Sequence, residues 1–192
     1  MLKPLLLTVF TLMAAGCVST APNQATVADP WFRAARTADI AQLKGMLAGG
    51  KSIDTTSAVG VTALLVAARM GNLETIQWLL ENGANVNHRD RDGQTALGYA
   101  LTGLSRGPKR VQIVETLIKA GGDPFVVDAI GFVPVQEMLN LEMEEQLKTL
   151  SYTDKKPCDR MPKLKGEISL SQYARKMERI EIAEFFEKQG CW

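Results

Sequence analysis

The sequence predicts an all-α fold, a solenoid of about five helix-turn-helix repeats, from two observations. First, segments align at a spacing of 33 residues: "GVTALLVAARMGNLETIQWLLENGANVNHRD" begins at Gly60 and "GQTALGYA" begins at Gly93. Moving back by the same spacing, "AARTADIAQLKGMLAGGKSID" from Ala34 overlays "AARMGNLETIQWLLENGANVN" from Ala67. Second, each copy places apolar residues at helical spacing. A fixed period of this size is the sequence signature of a repeat architecture.

The first helix of each repeat has a start and a stop signal. Thr62 and Thr95 follow a glycine turn, where a hydroxyl can accept a backbone N–H bond and cap the helix. Ala67 and Ala68 are small enough for close packing against neighbouring helices. Gly71 then reverses the chain. We therefore expect a short, tightly packed inner helix in each repeat.

The second helix carries an apolar stripe formed by Ile76, Leu79 and Leu80. Gly83 can take the left-handed conformation that stops a helix. The segment "ANVNHRDRDG" that follows is expected to form a hairpin finger leading into the next repeat. Trp78 is expected in the core, whereas Trp31 and Trp192 are expected to cover the first and last repeats.

This pattern resembles the ankyrin repeat in its G-x-T-x-L start, its A-A pair, its L-L before N-G-A and its period. The T-P-L-H of that family is only partly kept. Ala63 and Ala96 stand where proline is usual, and Leu65 and Gly98 stand where histidine is usual. Because that histidine helps to hold loops together between repeats, the resemblance implies a less regular array than the consensus.

The repeat continues with less fidelity towards the C-terminus. "VQIVETLIKAGGDPFVV" from Val111 overlays "LETIQWLLENGANVNHR" from Leu73 after a five-residue insertion, and "GFVPVQEML" from Gly131 starts another unit. A polar excursion, "SYTDKKPCDRMPKLKGE", precedes the last unit. We predict a partial first repeat, two good ones, a degenerate fourth and a C-terminal cap, with the boundaries 30–57, 58–90, 91–128, 129–160 and 161–192.

The N-terminus reads as a signal peptide over residues 1–16. A basic Lys3 precedes a short apolar run that ends in "LMAAGC", which is too short for a spanning helix. A cysteine after small residues resembles the lipobox of bacterial lipoproteins, which implies lipidation of Cys17; plain secretion with a free thiol is the alternative. Residues 17–29 form a tether. Val18, rather than an aspartate, follows Cys17, which resembles the pattern of enteric lipoproteins sorted to the outer membrane. We therefore expect a position on the periplasmic side of the outer membrane of a Gram-negative bacterium.

Charge and cysteine content limit the kinds of partner and the covalent links that we expect. The chain has 22 basic and 21 acidic residues, which argues against a nucleic-acid partner, because such a surface needs a basic excess. Membrane contact is expected through the lipid anchor only. With Cys17 acylated, Cys158 and Cys191 remain, and an oxidising periplasm favours a disulfide between them.

No residue set predicts catalysis, a metal or a cofactor. His88 is the only histidine and is expected to be a surface residue or to brace a finger. Ser105 stands in "GLSRG", but that motif needs a strand before it and a helix after it, and here it lies between helices. The acidic residues are expected on a solvated helix face: Glu137, Glu142, Glu144 and Glu145. The basic insertion with Gly107, Lys109 and Arg110 is either a solvated loop or a partner contact.

The resemblance implies a protein-binding strip made of finger tips and the exposed side of the first helices. Mapped onto this sequence, the strip comprises Arg36, Val59, Val61, Arg69, Met70, Arg89, Arg91, Asp92, Gln94, Thr102, Ile130 and Phe132. The finger "FVVDAIGF" is apolar where its predecessor "NHRDRDGQ" is charged. An exposed apolar patch indicates a partner or a covering segment, and both remain open.

The sequence thus favours a non-enzymatic protein that binds another protein. Small lipid-anchored periplasmic proteins of this type resemble immunity proteins that neutralise toxic effectors, including the secreted phospholipases of type VI secretion. The alternative is a periplasmic scaffold or stress-protection protein that supports an envelope enzyme such as a catalase.

Overall fold

The structure, a computed structural model, describes residues 29–148 and 169–188. Within these residues the regular elements are all helices. The first six are α1 (Pro30–Thr37), α2 (Ile40–Ala48), α3 (Ala63–Met70), α4 (Leu73–Glu81), α5 (Ala96–Thr102) and α6 (Gly107–Lys119). The remaining four are α7 (Pro134–Asn140), α8 (Glu144–Lys148), α9 (Leu170–Lys176) and α10 (Ile180–Lys188).

Consecutive helices pack as pairs, and the pairs stack. The inner helices α1, α3, α5 and α7 contact one another in succession, and so do the outer helices α4, α6, α8 and α10. This confirms the all-helical fold with a repeat region. The number of repeats, their boundaries and the status of the last unit as a cap stay predictions.

The inner helices start in the same way because a polar side chain caps most of them. The hydroxyls of Thr62 and Thr95 accept from the amides of Leu65 and Gly98, each at 3.4 Å. Asp29 caps α1 from the equivalent position, although its Oδ1 accepts from the amide two residues on, that of Trp31. Ser169 caps α9 in a capping box with Gln172. The caps predicted at Thr62 and Thr95 are therefore confirmed.

A left-handed residue follows the inner helix in four of the described pairs, where the chain turns towards the outer helix. Gly71 has φ 76°, and the equivalent residues Ala38, Glu142 and Glu178 have φ 59°, 58° and 60°. Only glycine adopts this conformation without steric cost. The turn geometry is thus kept even where the sequence has lost its glycine.

The core lies between the helices and is built from small and branched residues. Ala67 and Ala68 are fully buried, as are Ile76 and Leu79 of the predicted stripe. Trp31 is also fully buried in the first pair. Among the other tryptophans, Trp78 is half-buried against this core, and Trp192 lies outside the described residues.

The third pair differs from the others through its insertion. The loop between α5 and α6 covers residues 103–106, and α6 is 13 residues long where α4 has 9. The extra residues therefore form both a loop and a first turn of helix. Arg110 lies in that turn and is buried, with 8% exposure, so the expectation of an exposed basic loop is wrong for this residue.

The predicted acidic helix face is not a single face. Glu137 lies half-buried on α7, and Glu142 occupies the turn after it. Glu142 is paired with Arg179, and Glu145 with Lys148 at 2.9 Å. The side chain of Glu144 lies outside the described part of the chain. Glu142 and Glu145 are exposed as well as paired, whereas Glu137 accepts from Nδ2 of Asn140 at 3.2 Å. The solvation expected for Glu142 and Glu145 is therefore confirmed, but the expectation of one shared helix face is wrong.

Several expectations fall outside the described residues. They are the signal segment 1–16, the lipid site at Cys17, the tether, and the disulfide between Cys158 and Cys191; each stays a prediction. In the described ranges no helix has both the length and the hydropathy needed to cross a bilayer.

Candidate protein-binding surface

Three fingers of the chain share one turn design. Each starts with a side-chain oxygen that accepts two backbone amides of its own turn. The Oγ of Ser57 accepts from residues 59 and 61, at 3.4 and 3.1 Å. Oδ1 of Asp90 and Oδ1 of Asp128 do the same at 2.8 to 3.0 Å. Local bonds of this kind fix the tip of each finger.

Backbone bonds then join each finger to the next. The amide of Arg91 donates to the carbonyl of Val59 at 3.1 Å, and the amide of Ala129 donates to the carbonyl of Asp92 at 2.7 Å. We call residues 57–61, 90–94 and 128–132 the finger strip. Although the structure assigns no strand to these fingers, their tips form one continuous, hydrogen-bonded edge.

Side chains of the second finger strengthen this edge. The ring Nε2 of His88 lies 2.8 Å from the carbonyl oxygen of Gly60 in the first finger. The guanidinium of Arg89 donates to the carbonyl of Val127 at 2.6 Å, and Gln94 donates to Oδ2 of Asp128 at 2.9 Å. The predicted bracing role of His88 thus has a direct structural counterpart.

The inner helix α5 is bonded to the second finger. The phenol of Tyr99 donates to Oδ2 of Asp90 at 2.7 Å, and the guanidinium of Arg69 lies 6.0 Å from the centre of the Tyr99 ring. Burial, followed by the bond to Asp90, raises the pKa of Tyr99 above its ordinary range. The phenol therefore stays protonated and keeps donating near neutral pH.

All twelve residues of the predicted strip are at least partly accessible. Those on the inner helices are Arg36, Arg69, Met70 and Thr102, and those on the second finger are Arg89, Arg91, Asp92 and Gln94. Val59 and Val61 lie on the first finger, and Ile130 and Phe132 on the third. Arg89 donates to Gly93 of its own finger and to Val127 of the next, and Gln94 donates to Asp128 of the next finger. Both side chains therefore have a bracing role. Whether the twelve residues bind a partner stays a prediction.

The apolar third finger is only partly exposed. Phe125 is 7% exposed and joins the core. Phe132 is half-buried, with its ring 3.7 Å from the place where a Cβ on Gly98 would lie. Ile130 is 79% exposed at the tip. The backbone of its turn is fixed by Asp128, so an exposed apolar side chain projects from an ordered position in the chain.

The catalytic candidates stay apart in the structure. The hydroxyl of Ser105 is buried and has no hydrogen-bond partner among the described residues, and His88 bonds to Gly60 instead. The structure thus offers no hydrogen-bonded nucleophile and base at these two residues. In the described ranges, no group of three or more histidine, cysteine, aspartate or glutamate side chains is placed to hold a metal ion.

Two residues important for this surface were missed from the sequence. Tyr99 lies at the same place in its helix as Val66 in the preceding one, four residues after the capping threonine. Asn72 donates from Nδ2 to the carbonyls of Ala35 and Arg36, at 2.9 Å each, and so joins two repeats. In the sequence the only signal was the residue type itself, which is aromatic at Tyr99 and polar at Asn72.

Stacked helix pairs with a bonded edge of fingers define a helical repeat protein with an extended surface. Residues 64–118 match the family model described as "Ankyrin repeats (many copies)". The chain is 34% identical over 94 residues to "Ankyrin repeat, SAM and basic leucine zipper domain-containing protein 1" of Bos taurus, covering 49% of this chain and 20% of that protein.

Proteins of the same name from two other species give similar matches. The one from Carollia perspicillata is 38% identical over 96 residues, covering 49% of this chain and 20% of the relative. The one from Rhinolophus ferrumequinum is 35% identical over 94 residues, covering 49% and 19%. The chain therefore spans about one fifth of the length of these relatives.

Residues 64–118 of this chain are therefore similar to ankyrin repeats.

Proposed function

We propose that this chain binds one protein partner through the finger strip and the adjacent side of the inner helices. The observation that carries this proposal is Ile130, which is 79% exposed on a turn in which Oδ1 of Asp128 accepts from the amides of Ile130 and Phe132. Because the backbone that carries this apolar side chain is already ordered, binding there costs little backbone entropy. Arg69, Arg91 and Tyr99 supply the arginine and aromatic chemistry in which binding energy concentrates.

The finer part of the proposal concerns location and partner. We propose that the chain is lipid-anchored at Cys17 on the periplasmic side of the outer membrane, and that it neutralises a toxic effector as an immunity protein. A phospholipase delivered by type VI secretion is the proposed target. The support is the "LMAAGC" motif and the resemblance to lipid-anchored immunity proteins. A tether of twelve residues, which reaches about 20 Å as a flexible coil, keeps the binding surface near the lipid that such an enzyme attacks.

Binding is tested with the purified mature protein and the secreted lipases encoded near its gene. Titration calorimetry is expected to show a stable complex. A lipase assay is expected to show that activity is abolished in this complex. Ile130→Asp is expected to weaken the complex at least about tenfold, as for a central interface residue. Ile180→Asp changes a 48% exposed isoleucine at the start of α10 and serves as the control, with melting temperatures confirming that both variants fold.

Two outcomes contradict the effector proposal. One is that no product of a neighbouring gene binds the wild-type chain. The other is that deletion of the gene lowers peroxide resistance without any toxin phenotype, which favours the scaffold for an envelope enzyme. The anchor is tested separately: wild-type protein is expected to incorporate a labelled fatty acid in cells, and Cys17→Ser is expected to lose the label.

A further inference from the structure

The loop of residues 103–106, between α5 and α6, is held in one conformation. The amide of Leu104 donates to the carbonyl of Arg69 at 2.8 Å. Arg110 donates from Nε to the carbonyl of Ser105 at 3.0 Å, and Arg106 bonds the carbonyls of Gly103 and Ser105. The loop is thus an ordered part of the fold.

Close packing under the loop fixes its position. A Cβ on Gly103 would overlap the carbonyl oxygens of Arg69 and Tyr99, so only glycine fits there. Ser105 is 6% exposed, and its Cβ would lie 2.8 Å from a Cβ on Gly71. Two glycines in two repeats therefore make room for this one insertion.

The fixed loop presents Leu104 to solvent, with 64% of its surface exposed. A single exposed leucine is ordinary on a protein surface, so its surroundings decide its meaning. Arg69, Arg106 and Lys109 have exposed side chains, and none of the three forms a salt bridge with a carboxylate of the described residues. Leu104 is thus linked to three such cations, to Arg69 by a backbone hydrogen bond and to Arg106 and Lys109 by two and five positions of sequence.

We propose that this loop is a second contact for the protein partner, which presents an apolar pocket bordered by aspartate or glutamate side chains. The inference rests on the proposed protein-binding function. Charge complementarity supports it, because unpaired cations favour carboxylates in the opposing surface. Continuity supports it too, since Leu104 is bonded to Arg69 and lies two residues after Thr102, both of which belong to the predicted strip.

An anionic membrane is the competing source of the same charge chemistry. Membrane-surface elements present a wide apolar face together with their cations. The described insertion offers one leucine, since Ser105 and Arg110 are buried and Gly103 has no side chain. A protein pocket therefore fits this loop better than a lipid surface does.

The test uses the mature protein and a random peptide-display library as its probe. We expect selected peptides to combine apolar residues with aspartate or glutamate. Leu104→Ser and Lys109→Glu are each expected to raise the dissociation constant of such a peptide, measured by calorimetry, by about tenfold. Ile180→Ser, which changes an exposed isoleucine elsewhere, is expected to leave it within about twofold. Melting temperatures check the fold of every variant.

Several results would overturn the inference: a library that yields no binder, selected peptides without acidic residues, or equal affinity of wild-type and Leu104→Ser protein. Binding to vesicles of 70% phosphatidylcholine and 30% phosphatidylglycerol that Leu104→Ser abolishes would assign the loop to a membrane instead. If binding of a peptide or partner depends on Ile130 but not on Leu104, this inference is wrong and the proposed function still stands. If the wild-type chain binds no protein or peptide at all, the proposed function fails as well.

Discussion

The phenol of Tyr99 donates a 2.7 Å hydrogen bond to Oδ2 of Asp90, whose Oδ1 accepts the amides of Asp92 and Gln94. One carboxylate therefore fixes the second finger and also joins it to the inner helix α5. The two parts of the candidate binding surface are held together at this point.

Replacement of Tyr99 by phenylalanine is expected to destabilise the fold by about 1–2 kcal/mol, because it removes a half-buried bond to a charged group. Urea denaturation at pH 7.5 measures the loss. The control is Tyr173→Phe, which removes a bond from an exposed phenol to Oδ1 of Asn140 at 3.0 Å, and is expected to cost less than about 1 kcal/mol. Equal losses in the two variants would show that the link to Asp90 adds nothing.

The same bond predicts a pH dependence. Because burial and Asp90 raise the pKa of Tyr99 in the folded state, the unfolded chain releases this proton first as the pH rises. The stabilisation is fully present below the unfolded-state pKa, about 10, and is lost as the pH climbs above it towards the folded-state value. Between pH 9 and 11 the free energy of unfolding should fall more steeply in wild type than in Tyr99→Phe. Parallel slopes would contradict this assignment.

A contact between the second repeat and the insertion makes Gly71 more sensitive to substitution than Gly83, a left-handed glycine with open space around it. Gly71 and Gly83 have φ 76° and 85°, but only a Cβ on Gly71 meets a neighbour, the Cβ of Ser105 at 2.8 Å. Alanine at either position costs about 1–2 kcal/mol for the left-handed backbone. At Gly71 an overpacking cost of about 1–3 kcal/mol is added.

Thermal and urea unfolding of Gly71→Ala, Gly83→Ala and a Gly71→Ala/Ser105→Gly double variant check this expectation. The double variant removes the opposing Cβ, and the hydroxyl it deletes has no hydrogen-bond partner among the described residues. Its loss, corrected for Ser105→Gly alone, should fall to that of Gly83→Ala. A persistent excess would place the cost of Gly71→Ala elsewhere.

Asn72 is expected to be a larger contributor to stability than its partly exposed position suggests. Its Nδ2 donates to two carbonyls of the preceding pair, Ala35 and Arg36, so Asn72→Ala leaves both without this donor and costs about 2 kcal/mol. Asn82→Ala is the matched control, since its Nδ2 bonds only the carbonyl of Trp78 in its own helix; it should cost less than about 1 kcal/mol. Denaturant unfolding compares the two, and a reversed order would refute the inter-repeat role.

The parts of this fold that the sequence predicted are those in which residue type determines local geometry. A threonine caps a helix through its own hydroxyl, so Thr62 and Thr95 were recognisable, and Gly60, Gly71 and Gly93 marked turns that take positive φ. The period of 33 then placed equivalent residues in register.

The parts that were not predicted depend on tertiary contacts. Glu142 and Glu178 adopt left-handed turns because the packed helices on either side require them, and nothing in a glutamate signals this. Arg110 reads as a surface residue, yet the insertion buries it against the carbonyl of Ser105. Asn87 and Asp123 are bonded across 36 positions of the chain, which no local pattern reports.

The order of the finger strip is expected to depend on His88. A carbonyl oxygen only accepts, so Nε2 of His88 carries the proton that bonds Gly60 at 2.8 Å. His88→Leu removes this brace, and local opening should then speed hydrogen exchange of the Arg91 amide, which donates to Val59, by about three- to tenfold. His88→Gln keeps a donor, so the Arg91 amide should exchange more slowly in this variant than in His88→Leu.

The amide of Asp128, bonded within its own finger to Phe132, is the internal control, and its exchange rate should change by less than about twofold. Because a loosened strip must be reordered on binding, His88→Leu should also weaken partner affinity; an unchanged Arg91 exchange rate would contradict the bracing role.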